Sequence, residues 1–316
     1  MPQTLVLVPA YNEAENLRVL LPRILAQAPA VAGGLTVLVI DDGSHDDTAD
    51  VVREVSPGPE VLRVTSLRVN RGKSEALRVG FREAVATGAT TVVMMDADGQ
   101  DDPSELPRLV ERLGEGVDLV TGARTVRNDR FVKRHTSRLY NRTTSALARV
   151  PGTDFNSGFK AMRSDVVAEL APMMYGEMHR YLTVMAHWKG FRTSEVPVQH
   201  HARMHGTTKY GPARFWRGFM DLLTVRFLLS YENRPSHLFG GIGAAGLGLG
   251  GLMLLYLLVL RLSGATVGDR PMLLAAVLLV LGGLQFFLFG LSAELGVRHR
   301  NGRRADEAAV DAGSEA

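Results

Sequence analysis

The segment Asp96-Ala97-Asp98-Gly99-Gln100 carries two carboxylates at a spacing of two. In extended backbone, residues i and i+2 project to the same side. Asp96 and Asp98 can therefore face one cation, and the side-chain carbonyl of Gln100 continues the series. Hard oxygen ligands suit Mg2+ or Mn2+, which commonly take one or two carboxylates and complete their shell with substrate phosphates. An Asp-x-Asp pair alone is common in surface turns, but this one follows the apolar run Thr91–Met95, which reads as a strand buried on both faces. Three more polar loops end apolar runs: Pro9-Ala10-Tyr11-Asn12-Glu13, Asp41-Asp42-Gly43-Ser44 and Asn70-Arg71-Gly72-Lys73. Asp41 can accept hydrogen bonds from a base or ribose, and Tyr11 can stack on or border a base. Helix capping explains one such loop; it does not readily explain four in register.

Chemistry at four loops needs a scaffold that brings them together. The first half alternates short apolar runs with helical patterns, the mark of an α/β fold with a mostly parallel sheet. Thr4–Val8, Leu35–Ile40, Val61–Thr65 and Thr91–Met95 read as strands, with helices from about Ala14, over Thr48–Val55 and over Ser74–Ala86. Asn12 with Glu15, and Ser44 with Asp47, have the spacing of helix-start signals in which the first residue caps the helix. Ligands of an open α/β sheet bind outside the carboxyl ends of its strands, where these loops fall. Beyond Asp118 the alternation becomes irregular. Phe131–Arg149 and Tyr181–Trp188 read as helices, Phe159–Met162 and Thr193–Gln199 as extended. His179 and His187 read as core or interface residues, and Glu177 suits either a functional role or an ion pair with the neighbouring His179 and Arg180.

Composition removes several classes. The 316 residues hold 36 Lys+Arg against 33 Asp+Glu, a net charge of +3, and no cysteine. Without a Lys/Arg block interleaved with aromatics, nucleic acid has no support as a partner. The lack of cysteine excludes thiolate zinc sites and cysteine nucleophiles, and His200, His201 and His205 fall at no standard zinc spacing. GxGxxG is missing, which takes away the main support for dinucleotide binding, and the absence of GxxxxGK[ST] excludes a P-loop enzyme. Met1-Pro2-Gln3 leads into an apolar run without a basic n-region, so no cleaved signal peptide is expected.

A mean hydropathy of +0.03 hides a division. Leu238–Leu260 and Met272–Ala293 are uncharged stretches of 23 and 22 residues, each longer than the roughly 20 a helix needs to cross a bilayer. The connector carries Arg261 and Arg270; the outer flanks carry Arg226, Arg234, Arg298, Arg300, Arg303 and Arg304. The positive-inside rule then predicts both termini in the cytoplasm. Pro212–Tyr231 gathers Phe215, Phe219, Leu222, Leu223, Phe227 and Leu228 near one helical face. A core helix would show the same stripe, but the position just before a span favours a helix lying in the membrane interface. Gly240, Ala244 and Gly248, with Gly246 and Gly250, suit either a helix-packing face, which leaves a homo-oligomer open, or a glycine-rich lipid-facing helix. The basic run Arg127, Arg130, Lys133 and Arg134 suits a solvated face or anionic lipid headgroups.

The segments VPAYNEAENL, VIDDGSHDDT, NRGKSEALRVG and MDADGQDDP resemble glycosyltransferase family 2, with its GT-A fold. GTDFNSGFKAMRSD, GEMHRYL, GFRTSEVPV and HHARMHGTTKYG resemble its polyprenyl-phosphate branch, which includes dolichyl-phosphate mannose synthases and two-span undecaprenyl-phosphate glucosyltransferases. The resemblance implies a nucleotide-sugar donor (a UDP- or GDP-hexose) bound by Pro9, Tyr11, Glu13, Asp41, Lys73 and Asp96. It implies Mg2+ or Mn2+ held by Asp96, Asp98 and Gln100, and Arg124 near the donor sugar or acceptor phosphate. Arg203 and Lys209 match a loop that closes over phosphates, with Thr207 and Thr208 where serine is more usual. Asp154 falls where the family shapes the acceptor pocket, although turn capping explains it equally well. Catalysis would rest on Asp98, Arg124, Arg203 and Lys209, and acceptor binding on Arg124, Asp154, Arg203, Thr208 and Lys209. The Gln-x-x-Arg-Trp motif of processive polysaccharide synthases is missing, since Arg214-Phe215-Trp216 lacks the glutamine.

The expected organisation is a GT-A domain over 1–211, an interfacial amphipathic helix and linker over 212–237, a two-helix transmembrane module over 238–293 and a disordered cytoplasmic tail over 294–316. The expected reaction transfers one hexose, with inversion, from UDP-glucose, ahead of GDP-mannose, to a polyprenyl phosphate at the inner face of the cell membrane. A lipid phosphate is already anionic near neutral pH, so attack needs no strong general base. The demand is electrostatic: a metal and basic side chains must offset the charges of two phosphate groups. A non-catalytic membrane nucleotide-sugar sensor or translocase scaffold would not need the Asp-x-Asp pair. A family member with a non-lipid acceptor would need a base near the acceptor hydroxyl.

Overall fold

The computed structural model describes residues 4–124, 145, 150, 152–201, 235–264, 266–268 and 271–314. The chain divides into two compact units, Met1–Arg226 and Phe227–Ala316.

Seven described strands form the sheet of the first unit: β1 (Thr4–Ala10), β2 (Leu35–Asp41), β3 (Leu62–Ser66), β4 (Thr91–Met94), β5 (Leu119–Arg124), β6 (Lys160–Arg163) and β7 (Thr193–Val198). Their order is β3-β2-β1-β4-β6-β5-β7. β1 to β4 pair in parallel, as do β5 and β7, while β6 runs antiparallel to both of its neighbours. Helices α1 (Ala14–Leu25), α2 (Thr48–Val55), α3 (Lys73–Ala86), α4 (Leu106–Gly114), α5 (Ser164–Leu170) and α6 (Leu182–Trp188) connect or flank the strands. Every residue of β1 is buried, as a parallel strand covered on both faces requires. Val6, Val8 and Ala10 share a core with Leu17, Leu20, Leu21 and Ile24 of α1 and with Val51 and Val52 of α2. Leu7, on the other face, meets α3 at Gly80.

Helix starts in this unit are satisfied across loops. Asn12 does not cap α1: it has φ +54°, and its side-chain carbonyl accepts from the His45 amide at 2.8 Å. The amides of Asn12, Glu13 and Ala14 instead donate to Ser44 Oγ (2.9 Å), Thr48 Oγ1 (3.0 Å) and Asp46 Oδ2 (3.2 Å). At α2 the Asp47 side chain makes no cap bond, and Asp46 accepts from the Thr48 amide at 3.1 Å. β1 and β2 are adjacent and parallel, so the loops leaving them run side by side and pair each other's otherwise orphaned amides.

The second unit is a helical pair, α7 (Pro235–Leu262) and α8 (Pro271–Ser314). Each contains a stretch long and apolar enough to cross a membrane, Ser236–Leu262 and Pro271–Val297. The helices meet through glycine. A Cβ on Gly243 would lie 2.7 Å from the Gly283 carbonyl oxygen, and one on Gly250 would lie 2.9 Å from the Ala276 carbonyl oxygen. Of the small-residue stripe, Gly246 and Gly250 face α8, whereas a Cβ on Gly240 or Gly248 would meet nothing within 4 Å. Glu294 accepts from the Ser236 amide at 3.2 Å, satisfying the start of α7. The tail expected to be disordered is instead helical as far as Ser314. Ala305, Glu307, Ala308 and Ala309 are strong helix formers, and a helix already nucleated propagates into such residues readily. The expected interfacial helix Pro212–Tyr231, and Phe131–Arg149 apart from Ser145, lie outside the described residues.

Candidate active site

The carboxyl ends of β1, β2 and β4 border a cleft of about 200 Å³. All four polar loops reach it: Pro9, Tyr11 and Glu13 from the first, Asp42 from the second, Lys73 from the third, and Asp96 and Asp98 from the fourth. The second loop contributes a residue that the sequence did not single out. Asp41 is buried and in line with Val37 and Val39 of the core, and its Oδ1 accepts from the Ser44 amide at 2.9 Å. Strand alternation carries its neighbour Asp42 to the cleft, where its two oxygens accept from the Arg71 and Gly72 amides, each at 2.8 Å. Tyr11 is 40% exposed and meets the His45 ring edge-on at 6.3 Å.

Asp96, Asp98 and Gln100 are partly exposed, while Met95, Ala97 and Gly99 are buried, the alternation that an i+2 spacing requires. Asp98 Oδ1 accepts from the Gln100 amide at 3.2 Å. The Gln100 side chain donates to the His201 carbonyl at 3.2 Å, and the Gln100 carbonyl accepts from the His201 amide at 2.7 Å. The acidic loop is thereby tied to the chain leaving β7. His200 and His201, with no zinc role expected, pair with Asp101 at 3.2 Å and Asp102 at 2.9 Å. The described residues contain no group of three or more metal-ligating side chains. Two carboxylates on one wall fit a hard divalent ion that takes the rest of its shell from substrate phosphates and water.

Asp96 is ion-paired with the Lys73 ammonium. Burial pushes its carboxyl up, but the charge and hydrogen bond of Lys73 outweigh this and hold it below the usual carboxylate range. On its other side Asp96 lies against Gly158, where a Cβ would overlap the carboxylate.

Arg124, the last residue of β5, is gripped by Asp154 through two parallel bonds, Nε to Oδ2 at 2.6 Å and Nη2 to Oδ1 at 2.8 Å. Burial works against the guanidinium charge, but these bonds and the Asp154 charge raise its pKa above the ordinary arginine value. Asp154 is itself buried, and Glu195 of β7 accepts from the Thr153 and Asp154 amides at 2.8 and 3.1 Å. The carboxylate expected at the acceptor is thus engaged in orienting Arg124.

Lys160, Glu195 and Ser74 fall within the quoted family-like segments, but the motifs assign none of them a role. β6 starts opposite the end of β4 and the middle of β5, so Lys160 lies across from Met94 and Thr121. Fully buried, its ammonium donates to the carbonyls of Phe155 (3.2 Å) and Ser157 (2.5 Å), and burial lowers its pKa to about 8. A lysine inside the apolar run Phe159–Met162 was the available signal. His179 Nδ1 shares a hydrogen bond with Ser74 Oγ at 2.9 Å. Burial, followed by the charges of Lys73 and Arg180, pushes the His179 pKa well below the ordinary value, which leaves the ring neutral. Glu177 pairs with Arg180 at 2.6 Å, with His179 3.9 Å away. Arg203, Thr208 and Lys209 lie outside the described residues, as do Arg127, Arg130, Lys133 and Arg134.

The chain has known relatives. Residues 5–171, more than half of the chain, match Glycosyl transferase family 2. The chain belongs to that family. The glycosyltransferase is 33% identical over 299 residues to the dodecaprenyl-phosphate galacturonate synthase of Rhizobium johnstonii, spanning 92% of this chain and 86% of the relative. It is 33% identical over 302 residues to the undecaprenyl-phosphate 4-deoxy-4-formamido-L-arabinose transferase of Edwardsiella ictaluri, spanning 95% and 90%. Among solved structures, the mannosyltransferase PcManGT from Pyrobaculum calidifontis, in complex with GDP-Man and Mn2+, matches with a TM-score of 0.52 at 19% identity, covering 98% of this chain and 80% of that one. The GT-A fold, with its mostly parallel sheet, is the one the motifs implied.

Proposed function

We propose that this glycosyltransferase moves a single sugar, with inversion at the anomeric carbon, from a UDP-sugar to a polyprenyl phosphate at the cytoplasmic face of a membrane. The observation that carries the reading is one cleft where four loops meet and where the acidic pair Asp96 and Asp98 stands beside Lys73. Pro9, Tyr11, Glu13 and the Asp41–Asp42 pair border the nucleoside, and Lys73 meets its diphosphate. Asp96 and Asp98, with Gln100, would hold the divalent cation, Mg2+ or Mn2+, whose charge neutralises the departing nucleoside diphosphate. Arg124, oriented by Asp154, receives the acceptor phosphate together with Arg203, Thr208 and Lys209; a guanidinium can grip two phosphate oxygens at once. The acceptor oxygen is already anionic, so attack proceeds without a general base.

Two membrane-length helices support a lipid acceptor, because they keep the chain at the bilayer where such a phosphate resides. Relatives named for a galacturonate and a formamido-arabinose support a wider range of sugars than the glucose and mannose the motifs suggest. The test incubates the purified full-length chain in detergent with labelled UDP-glucose, UDP-galacturonate or GDP-mannose, undecaprenyl or dolichyl phosphate, and Mg2+ or Mn2+. A lipid-linked product from a UDP-sugar is expected. Product from GDP-mannose alone overturns the donor, and no lipid-linked product from any combination overturns the acceptor.

A further inference from the structure

The carboxylate best placed for the divalent cation already carries a cation that belongs to the chain. Lys73 is the first residue of α3, and its ammonium is ion-paired with Asp96 on the wall of the cleft. The turn leading into it is fixed, because both oxygens of Asp42 are taken by the Arg71 and Gly72 amides. Asp96 is fixed as well, backed by Gly158 with no room for a Cβ between them. Of the two paired side chains, that of Lys73 has the longer and more flexible stem. Its ammonium is a compact, strongly hydrated charge with three rotatable donors, suited to trading one anionic partner for another.

A monovalent and a divalent cation around one carboxylate repel each other at short range. A nucleoside diphosphate removes the conflict, since its oxygens offer Lys73 a second partner and offer the metal further ligands. We infer that Lys73 is a placeholder cation: it neutralises Asp96 in the empty enzyme and yields that carboxylate only when a nucleoside diphosphate arrives. Metal and nucleotide then bind as a unit, each raising the affinity of the other by the same factor. The inference rests on Asp96 and Asp98 being the metal pair.

Mn2+ binding to the full-length chain in detergent, followed by the electron paramagnetic resonance signal of free Mn2+, tests it without reference to turnover. Wild type should bind Mn2+ about tenfold or more tightly with UDP or GDP present than without. Lys73→Gln should bind Mn2+ alone about tenfold more tightly than wild type, and most of the nucleotide-dependent gain should disappear. Lys73→Arg, which keeps the charge, should follow wild type. The placeholder role is overturned if Lys73→Gln, shown folded by circular dichroism, binds Mn2+ alone no more tightly than wild type, or if Lys73→Arg gains as much as Lys73→Gln. Asp98→Asn separates the two readings. If it leaves Mn2+ binding with nucleotide unchanged, the metal assignment fails. If it abolishes that binding while Lys73→Gln still matches wild type, only the exchange fails.

Discussion

Lys160, fully buried, and Arg124, partly exposed, are two cations held in different ways, and the difference sets what their removal does. Arg124 has a full counter-charge in Asp154, whereas Lys160 donates to the Phe155 and Ser157 carbonyls. Breaking a buried pair by neutralising one member costs about 3–5 kcal/mol, because the other charge stays behind. Asp154→Asn should therefore lower the melting temperature and reduce kcat/KM for the lipid phosphate, while Mn2+ binding with nucleotide stays near wild type. An unchanged KM and kcat for the lipid would show that Arg124 does not handle the acceptor. For Lys160 the folded pKa, about 8, lies below that of an unfolded lysine. Below pH 8 both states carry the proton and the burial cost is present in full. Between about 8 and about 10.4 the unfolded state holds a proton that the native state has released, so stability rises with pH there. The stability of wild type relative to Lys160→Met should accordingly climb as pH rises through that window. Chemical denaturation at pH 7 and pH 10 measures it, and a constant difference would contradict the buried-ammonium account.

At the scale of elements, β6 is the component that assembles the site. The parallel strands bring their carboxyl ends to the edge of the sheet that borders the cleft, whereas the antiparallel strand between β4 and β5 begins towards that edge and places its first residue, Lys160, beneath it. Lys160 can thereby hold the 155–158 loop, which carries Gly158 against Asp96, while Glu195 of β7 holds the same loop at Thr153 and Asp154. One loop thus connects the acidic pair to Arg124. In the second unit, backbone-to-backbone approach at Gly243 and Gly283 leaves no space for a side chain. Gly243→Leu should separate α7 from α8, an overpacking cost of about 1–3 kcal/mol or more. It should lower thermal stability in detergent, yet leave nucleotide-dependent Mn2+ binding intact. Gly248→Leu, facing open space, is the control and should change neither.

At the scale of the whole chain, the flanking arginines predict that the connector between the spans faces away from the cytoplasm and both termini face towards it. The chain has no cysteine, so single thiols report topology without background. Ser263→Cys, exposed at the end of α7, should react with a membrane-impermeant maleimide in intact cells. Ala309→Cys, in the helical tail, should react only after permeabilisation. Labelling with the reverse pattern would place the catalytic unit on the wrong side for nucleotide sugars made in the cytoplasm.

Much of this was legible in the sequence because it depends on local spacing. The buried strands, the polar loops at their ends, the i+2 carboxylates and the two long apolar helices follow from periodicity, and the motifs along Thr4–Gly211 carry the family. What depends on neighbours distant in sequence was not legible. Asn12 looked like a cap because its spacing allows one, but the adjacent β2 loop supplies the caps from Ser44, Asp46 and Thr48. Asp154 suited an acceptor pocket or a turn cap equally well, and its partner Arg124, thirty residues away, was visible only in the fold. The tail from Asn301 looked disordered by composition, and continuity with a helix already formed made it helical. The sequence by itself determined which residue types the site contains. Strand order, and above all the single antiparallel strand among those described, decided which of them meet, because contact between distant segments is a property of the packed chain and not of any local pattern.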